Sequence, residues 1–354
     1  MSLLEVKNVS KIYSKSKKNK GGSLTALDDV SFTLDKGEAL GLIGPNGAGK
    51  STIIKCITGL AAQTSGEIAI NGYDTKKQRV KSIEKVGAII ESPDMYKDWT
   101  AMENLTYLAD LSISKEESLD KNGIKERVES LLKLVNLYDR RNDKVYKYSL
   151  GMKQRLGIAQ ALLGKPELLI LDEPANGLDP EGIKEIRDII RHLSKDLNMA
   201  VLVSSHNLSE LQLTCDRFLI IKKGKILADI KAEDISKGGT TVVINVDDAV
   251  KAIDVLKSEY DITARHEGDG KLVADTEIAT GDIAKTLILN GVTVNGIAVK
   301  KKTLEETFLS VTEDKKMDAE KFTLSANETA TTAEGTAPDA ENAAEKDGTE
   351  RGDK

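Results

Sequence analysis

The sequence predicts an α/β fold in which helices cover a parallel β-sheet on both sides, followed by a smaller α+β unit. Three observations lead to this prediction. Short apolar strands alternate with amphipathic helices up to about residue 230, a pattern typical of parallel sheets. The apolar strand Ala39–Ile43 runs directly into a glycine-rich turn and then a helix. From about residue 240 the order becomes strand, helix, strand, strand, helix, strand, the split βαβ arrangement.

Residues 1–230 contain the elements of the larger unit. Alternating strands at its start predict an antiparallel β subdomain, and helical spacing over about residues 92–160 predicts a helical insertion. The predicted strands are Leu3–Val9, Leu24–Leu34, Ala39–Ile43, Glu67–Asn71, Val86–Ile90, Leu168–Leu171, Ala200–Ser204 and Phe218–Lys222. The predicted helices are Ser51–Leu60, Ala101–Leu111, Ile124–Leu137, Glu181–Leu197 and Asn207–Thr214.

Residues 240–312 form a predicted accessory domain of βαββαβ order. Its strands are Thr241–Val246, Asp261–Arg265, Lys271–Ala274 and Val292–Val299, and its helices are Ala249–Ser258 and Gly281–Asn290. Residues 313–354 are predicted to be a disordered acidic tail. From Met317 onward Phe322 and Leu324 are the only sizeable apolar side chains, too few to offset the entropy cost of folding.

The net charge of −6 comes from this tail. Of 57 acidic and 51 basic residues in the 354-residue chain, residues 317–354 hold 10 and 4, which leaves 47 of each in residues 1–316. A neutral body argues against nucleic acid as the main partner, because phosphate-backbone binding needs many uncompensated Lys and Arg side chains.

Cysteine content and hydropathy exclude further classes. Cys56 and Cys215 are far apart and not in a C-x-x-C pair, so we expect buried core residues rather than a disulfide framework or a zinc site. Residues 1–13 lack an apolar stretch of signal-peptide length, and no run approaches the roughly 20 apolar residues of a membrane span. We therefore expect a cytoplasmic chain that does not itself cross the membrane.

The strongest motif is the glycine-rich turn after the strand Ala39–Ile43. It reads Gly44-Pro45-Asn46-Gly47-Ala48-Gly49-Lys50-Ser51-Thr52, a full match to the phosphate-binding pattern G-x-x-x-x-G-K-[ST]. Glycines let backbone N–H groups surround a polyphosphate at the start of a helix. Lys50 would then reach the β- and γ-phosphates, and the Ser51 hydroxyl would bind Mg²⁺. The alternative is a structural turn without a ligand.

A second motif is the apolar strand Leu168–Leu171, which ends in Asp172 and Glu173. Adjacent carboxylates in unlike environments can divide two tasks, and here Asp172 would hold Mg²⁺ through a water while Glu173 would polarise an attacking water. The alternative is that the two acids merely end a strand before Pro174. The presence of the phosphate-binding turn in the same chain favours the catalytic interpretation. Together the motifs predict a P-loop NTPase core that hydrolyses ATP.

Further segments resemble the ATP-binding subunits of ABC transporters. Tyr148-Ser149-Leu150-Gly151-Met152-Lys153-Gln154-Arg155 resembles the signature of that family, with Ser149, Gly151 and Gln154 at the expected places. The resemblance implies that Ser149 and Gly151 bind the γ-phosphate of ATP held by a second copy. It also implies that Asp179 belongs to the loop of the dimer contact, that His206 is the switch histidine, and that Tyr13 stacks on adenine.

One position departs from the family pattern. Glu91 stands where Gln normally faces Mg²⁺ and the transport subunit, and a carboxylate can also ligate Mg²⁺. This Glu, together with the closing segment Thr303–Leu309, resembles exporters that serve bacitracin resistance and self-protection against lantibiotic peptides.

The resemblance implies an ATPase that forms a homodimer around two ATP·Mg²⁺ and drives a separate integral-membrane permease from the cytoplasmic face of the membrane. The helical insertion would contact the permease, with residues 91–99 as the docking edge and Trp99 as either an interface anchor or a packing residue. A peptide antibiotic is the expected cargo. The alternatives are an exporter of a lipid or polysaccharide, and a soluble ATPase acting on ribosomes or DNA. Residues 240–312 either stabilise the dimer or cap the sheet, or they sense a ligand.

Overall fold

The computed structural model describes residues 2–14, 22–91, 93–112, 119–237, 240–301 and 303–308. The strands are β1 Leu4–Tyr13, β2 Leu24–Leu34, β3 Ala39–Ile43, β4 Ser65–Ile70, β5 Tyr73–Asp74, β6 Val86–Ile89, β7 Leu168–Asp172, β8 Ala200–Ser205, β9 Arg217–Lys222, β10 Lys225–Lys231, β11 Thr240–Val246, β12 Ala264–His266, β13 Lys271–Asp275 and β14 Val294–Lys301. The helices are α1 Lys50–Ile57, α2 Arg79–Ile83, α3 Ala101–Ser112, α4 Lys121–Leu134, α5 Leu150–Ala161, α6 Pro180–Arg191, α7 Leu208–Thr214, α8 Ala232–Lys237, α9 Ala249–Tyr260 and α10 Thr280–Leu289. The predicted tail, residues 313–354, lies outside the described residues.

A six-stranded sheet of order β10-β9-β3-β8-β7-β6 forms the centre of the larger unit. The strands from β9 to β6 are parallel to one another, as the alternation of strands and helices predicts. Every residue of β3, β7 and β8 is buried, because helices cover a parallel sheet on both faces. Along β7, Leu168 and Ile170 join one apolar core whereas Leu169 and Leu171 join another. The sheet therefore separates two cores.

The sheet is mixed rather than purely parallel, because β10 pairs antiparallel with β9. The sequence predicts no strand there. Lys223 and Gly224 connect the two strands with φ of 50° and 78°, the left-handed conformations of a type I′ hairpin turn. All residues of β10 are exposed or half-buried, so its hydrophobic pattern is weak, and its charged side chains are tolerated because it forms the edge of the sheet.

The antiparallel subdomain and the helical insertion flank the central sheet. Strands β1, β2, β4 and β5 form an antiparallel sheet of order β2-β1-β4-β5. The insertion contains α3, α4 and α5, which bury Leu105, Val128 and Leu156 in a common core. The Arg127 guanidinium donates to the carbonyl oxygen of Leu163 at 2.7 Å and so satisfies a carbonyl that follows α5.

A third sheet has the antiparallel order β12-β13-β11-β14 and, with α9 and α10, the expected βαββαβ sequence of elements. Val242, Leu256 and Leu287 belong to its own apolar core. The strand predicted for residues 261–265 is wrong in its first half. Asp261 adopts a left-handed φ of 54° and ends α9, which leaves β12 only three residues. The division into domains at residues 230 and 240 stays a prediction.

Both cysteines are buried and free, which confirms that they are core residues. Burial raises the pKa of both thiols. None of the helices in the described ranges has the length and apolar character that a bilayer crossing requires.

Candidate active site

The glycine-rich turn, residues 44–52, leads from the buried strand β3 into α1. A Cβ atom on Gly44 would lie 2.3 Å from the carbonyl oxygen of Ile221, so a side chain does not fit at this position. Gly49 adopts a φ of 116° at the start of α1, a conformation that L side chains rarely adopt. The Lys50 ammonium is buried and donates to the Gly44 carbonyl at 2.7 Å. The Lys50 side chain thus links the end of the turn to its first residue, Gly44.

This turn forms one wall of a cleft of about 360 Å³. Tyr13, at the end of β1 and 40% exposed, forms part of another wall, so the predicted adenine-stacking residue lies beside the predicted phosphate site. The first residues of β2 also contribute. The lining residues are Tyr13, Leu24, Thr25, Ala26, Glu173 and all of residues 45–52. The sequence motifs do not predict residues 24–26 as part of the site. The one indication in the sequence is Leu24, an apolar residue at the start of a strand.

Asp172 is the last residue of β7, and the residue is 7% exposed. The fully buried Ser204 hydroxyl donates to this carboxylate from the neighbouring strand β8. Glu173 follows with a left-handed φ of 51°, and its N–H donates to the Ser204 carbonyl at 3.1 Å. Ser204 thus positions both acids. The sequence does not single it out, although a serine at the end of an otherwise apolar strand is a usable signal.

Two basic groups converge on the Glu173 carboxylate. The Lys50 ammonium lies 3.4 Å from one carboxylate oxygen, and the His206 Nδ1 atom lies 2.7 Å from the other. Lys50 comes from α1, Glu173 follows β7, and His206 follows β8. The ends of three neighbouring parallel strands therefore bring the three predicted catalytic residues together. Such a set can bind an anion and exchange a proton with water.

The donors predicted for Mg²⁺ fit this ion in chemistry. Ser51 is exposed and lines the cleft, and Asp172 precedes the cleft residue Glu173. Mg²⁺ usually takes one or two protein oxygens and completes its shell with phosphates and waters, so a hydroxyl and a carboxylate suffice. The described residues contain no cluster of three or more His, Cys, Asp or Glu side chains that could hold a metal ion without such help.

Glu91, the third predicted metal ligand, is not among the residues that line this cleft. Its side chain is 75% exposed and lies 3.3 Å from the Lys55 ammonium of α1. A solvent-exposed pair of this kind contributes at most about 1 kcal/mol to stability. Glu91 also has a left-handed φ of 70°, which turns the chain sharply after β6. Its role toward Mg²⁺ stays a prediction.

The predicted signature, residues 148–155, lies at the start of α5 and does not line the cleft of the same chain. Ser149 is the N-cap, and its hydroxyl accepts from the Met152 N–H at 3.2 Å. Gly151 lies in the first turn, where helix N–H groups and the helix dipole favour anions. Gln154 is buried, and its amide oxygen has no hydrogen-bond partner. The predicted contacts of this segment with ATP therefore require a second copy.

Two further residues lie at the starts of α5 and α6. Burial raises the pKa of Tyr148 to about 12, and its hydroxyl donates to the Arg140 carbonyl at 2.7 Å. Asp179 is the N-cap of α6 and accepts from the Gly182 N–H at 3.0 Å. A carboxylate used as a cap retains a second oxygen for other donors, so the predicted dimer contact and the cap are compatible.

Comparisons with known proteins agree with this geometry. The sequence profile of the family described as ABC transporter matches residues 27–176. The chain is 40% identical over 321 residues to the uncharacterized ABC transporter ATP-binding protein YhcH of Bacillus subtilis (strain 168), covering 90% of this chain and 99% of the relative. It is 35% identical to the bacitracin transport ATP-binding protein BcrA of Bacillus licheniformis, covering 88% and 97%.

Solved structures show the same architecture. A dimeric ATP-binding cassette in a post-hydrolysis state, bound to ADP and Pi, superimposes with a TM-score of 0.58 at 25% identity, covering 65% of this chain and 98% of that one. The two sequence relatives match most of this chain and nearly all of their own length. The similarity therefore extends beyond the nucleotide cleft. The chain belongs to the ATP-binding subunits of ABC transporters, the ATPases that bind and hydrolyse ATP.

Proposed function

We propose that this chain powers the export of a peptide antibiotic of the bacitracin or lantibiotic type through a separate permease, from the cytoplasmic face of the membrane. The observation that carries this proposal is the similarity to the bacitracin transport protein over 88% of the chain, which extends well beyond the nucleotide-binding residues. Glu91 and the closing segment from Thr303 support the same subgroup.

In the proposed mechanism, the turn of residues 44–52 surrounds the triphosphate and Tyr13 stacks on adenine, a contact of about 1 to 3 kcal/mol. Lys50 would move from the Gly44 carbonyl to the phosphates, since both are acceptors for the same ammonium. Ser51 and Asp172 would hold Mg²⁺. When bound, Mg²⁺ neutralises charge on the phosphates.

Glu173 is the proposed base, because its carboxylate contacts both Lys50 and His206 and lines the cleft. It would orient a water and accept its proton as the water oxygen bonds to the γ-phosphorus and the bond from that phosphorus to the bridging oxygen of ADP breaks. A protonated His206 can donate from one ring nitrogen to Glu173 and from the other to a phosphate oxygen. The pair would thus detect the γ-phosphate and position the base in one step.

A second copy would complete the site. The N-terminal turn of α5, with Ser149 and Gly151, presents backbone donors that are not directed at the cleft of its own chain, and an ATP bound by the other copy would supply the anion. Asp179 would contribute to the same interface. Two such composite sites give a dimer in which ATP binding brings the copies together and hydrolysis lets them separate.

The helical insertion offers a surface for the permease. Trp99 stacks on Tyr96 with ring centroids 4.4 Å apart, and Tyr107 meets Trp99 edge-on at 5.5 Å. All three rings remain 37% to 51% exposed. Exposed aromatic clusters are typical of interface anchors, so Trp99 combines the two roles considered for it: it packs within the cluster and offers a face to a partner.

The test is ATP turnover in vesicles that contain the purified chain and the permease that co-purifies with it. The proposal predicts stimulation by bacitracin or a lantibiotic, and no stimulation when the chain carries Glu173→Gln. Stimulation by a lipid or polysaccharide alone would show that the cargo is not a peptide antibiotic. Stimulation by ribosomes or DNA, without any effect of the permease, would favour the soluble alternative and contradict the proposal.

A further inference from the structure

The last described segment of the chain returns from the sheet of β11 to β14 to the nucleotide-binding part. Residues 304–308 form a short helix, here called the closing helix. Leu304 is fully buried and joins the same apolar core as Leu211 of α7 and Ile235 of α8. Phe308 packs half-buried against this core. The closing helix is therefore anchored to the larger unit and not to the core of the sheet of β11 to β14.

A polar contact fixes the register of this anchor. The Leu304 N–H donates to the side-chain amide oxygen of Gln212, which lies in α7, at 3.1 Å. The first N–H groups of a helix have no partner within the helix, so Gln212 satisfies a donor that would otherwise need water. Thr303 and Glu306 form a reciprocal cap: the Thr303 N–H donates to the Glu306 carboxylate at 3.0 Å, and the Glu306 N–H donates to the Thr303 hydroxyl at 3.2 Å. This capping box is preformed by local sequence.

The partner of the closing helix, α7, begins directly after His206. Asn207 is the N-cap of α7, and its N–H donates to the Ser205 hydroxyl at 2.9 Å. Gln212 lies four residues beyond Leu208, the first residue of α7, about 6 Å along the helix axis at 1.5 Å per residue. A shift of α7 therefore moves His206 relative to Glu173, and a contact of 2.7 Å tolerates little displacement.

We propose that the closing helix is an intramolecular strap that positions α7, and through it His206, against Glu173. Leu304 and Gln212 are then positioning residues for ATP hydrolysis: Leu304 fills the core beneath α7, and Gln212 sets where along α7 the strap binds. This inference rests on the proposed role of His206 and Glu173. It gives the C-terminal part of the chain a direct connection to hydrolysis, in addition to any role in the dimer or in ligand sensing.

The test compares steady-state ATP hydrolysis and ATP binding by the full-length chain. Gln212→Leu removes the acceptor, Gln212→Glu keeps one, and Leu304→Ala shortens the buried side chain. Glu305→Ala is the matched control, because Glu305 is exposed in the same helix. We expect Gln212→Leu and Leu304→Ala to lower kcat about fivefold, the equivalent of about 1 kcal/mol in activation free energy. The ATP dissociation constant should change less than about twofold, and Gln212→Glu and the control should retain kcat.

The decisive readout is a double-mutant cycle with His206→Ala. If the strap acts through His206, Leu304→Ala or Gln212→Leu lowers kcat no further once His206 is gone. Effects that multiply, or that come with an equal loss of ATP affinity, would show a purely structural role and overturn the strap. If Leu304→Ala does not fold, the two Gln212 variants decide alone. An unchanged kcat in His206→Ala itself would instead refute the proposed function of His206, and the strap with it.

Discussion

Glu173→Gln is the substitution that acts most directly on the proposed chemistry. It replaces a carboxylate by an amide of nearly the same shape. Of the two contacts, 3.4 Å to Lys50 and 2.7 Å to His206, the amide oxygen can accept in one, whereas the amide NH2 group cannot accept in the other. An amide cannot accept a proton from water. General bases contribute about 10² to 10⁴ to a rate, so kcat should fall at least 100-fold, or about 2.7 kcal/mol in activation free energy.

The same substitution should strengthen ATP binding. Glu173 competes with the phosphates for Lys50 and His206, and it also repels them. Because its side chain is 23% exposed, solvent screens part of this repulsion. We expect the ATP dissociation constant to fall about fivefold, close to 1 kcal/mol, and the ATP-bound dimer to accumulate on gel filtration.

The assay measures released phosphate and nucleotide affinity on the purified chain. Glu167→Gln is the matched control, because Glu167 precedes the same strand β7 at its opposite end and pairs with Lys36. It should retain wild-type turnover and affinity. A Glu173→Gln protein that hydrolyses ATP within about tenfold of wild type would refute the assignment of Glu173 as the base. Loss of ATP-dependent dimerisation would refute the account of hydrolysis as the step that separates the copies.

Two further predictions concern other parts of the chain. Trp99→Ala should weaken co-purification of the permease at least tenfold, the loss expected for a central aromatic anchor, and should leave turnover without the permease unchanged. The control is Leu289→Ala, because Leu289 is 76% exposed on α10. If both variants co-purify equal amounts of permease, the docking surface is contradicted. Burial raises the pKa of Tyr148 from 10 to about 12, so the fold favours the neutral phenol. The free energy of unfolding should therefore fall as pH rises from 10 to 12. Tyr148→Phe should make this fall less steep, and it should lower the free energy of unfolding at neutral pH by about 1 kcal/mol. An equally steep fall in the Phe variant would contradict the role of Tyr148.

Local chemistry explains what the sequence predicts well. The phosphate-binding turn needs glycine at Gly44 and Gly49 because of close backbone approach and positive φ, and such requirements leave a pattern in consecutive residues. The residues 168–171 of strand β7 form a continuous apolar run that is followed by two acids. The burial of the strand and its acidic end can therefore both be predicted from about six consecutive residues. The convergence of Lys50, Glu173 and His206 follows once the strands are parallel neighbours.

Long-range pairings leave no such pattern. The contact of Leu304 with Gln212 joins residues 92 positions apart, and Ser204 contacts Asp172 from the neighbouring strand, 32 positions along the chain. Strand β10 escapes prediction because an edge strand does not need a continuous apolar run. Asp261 ends α9 instead of starting a strand because it adopts the left-handed conformation, which Asp tolerates better than most residues.

The central claim is that ATP is hydrolysed at a site shared by two copies. Complementation between Lys50→Ala, which removes the phosphate contact, and Ser149→Arg, which blocks the start of α5, tests it most directly. Each variant alone should be inactive. In an equal mixture about half of the dimers combine both variants and retain one intact site of two, so turnover should recover to about a quarter of wild type. A mixture as inactive as its components would contradict the composite site, as would a Ser149→Arg protein with full activity on its own.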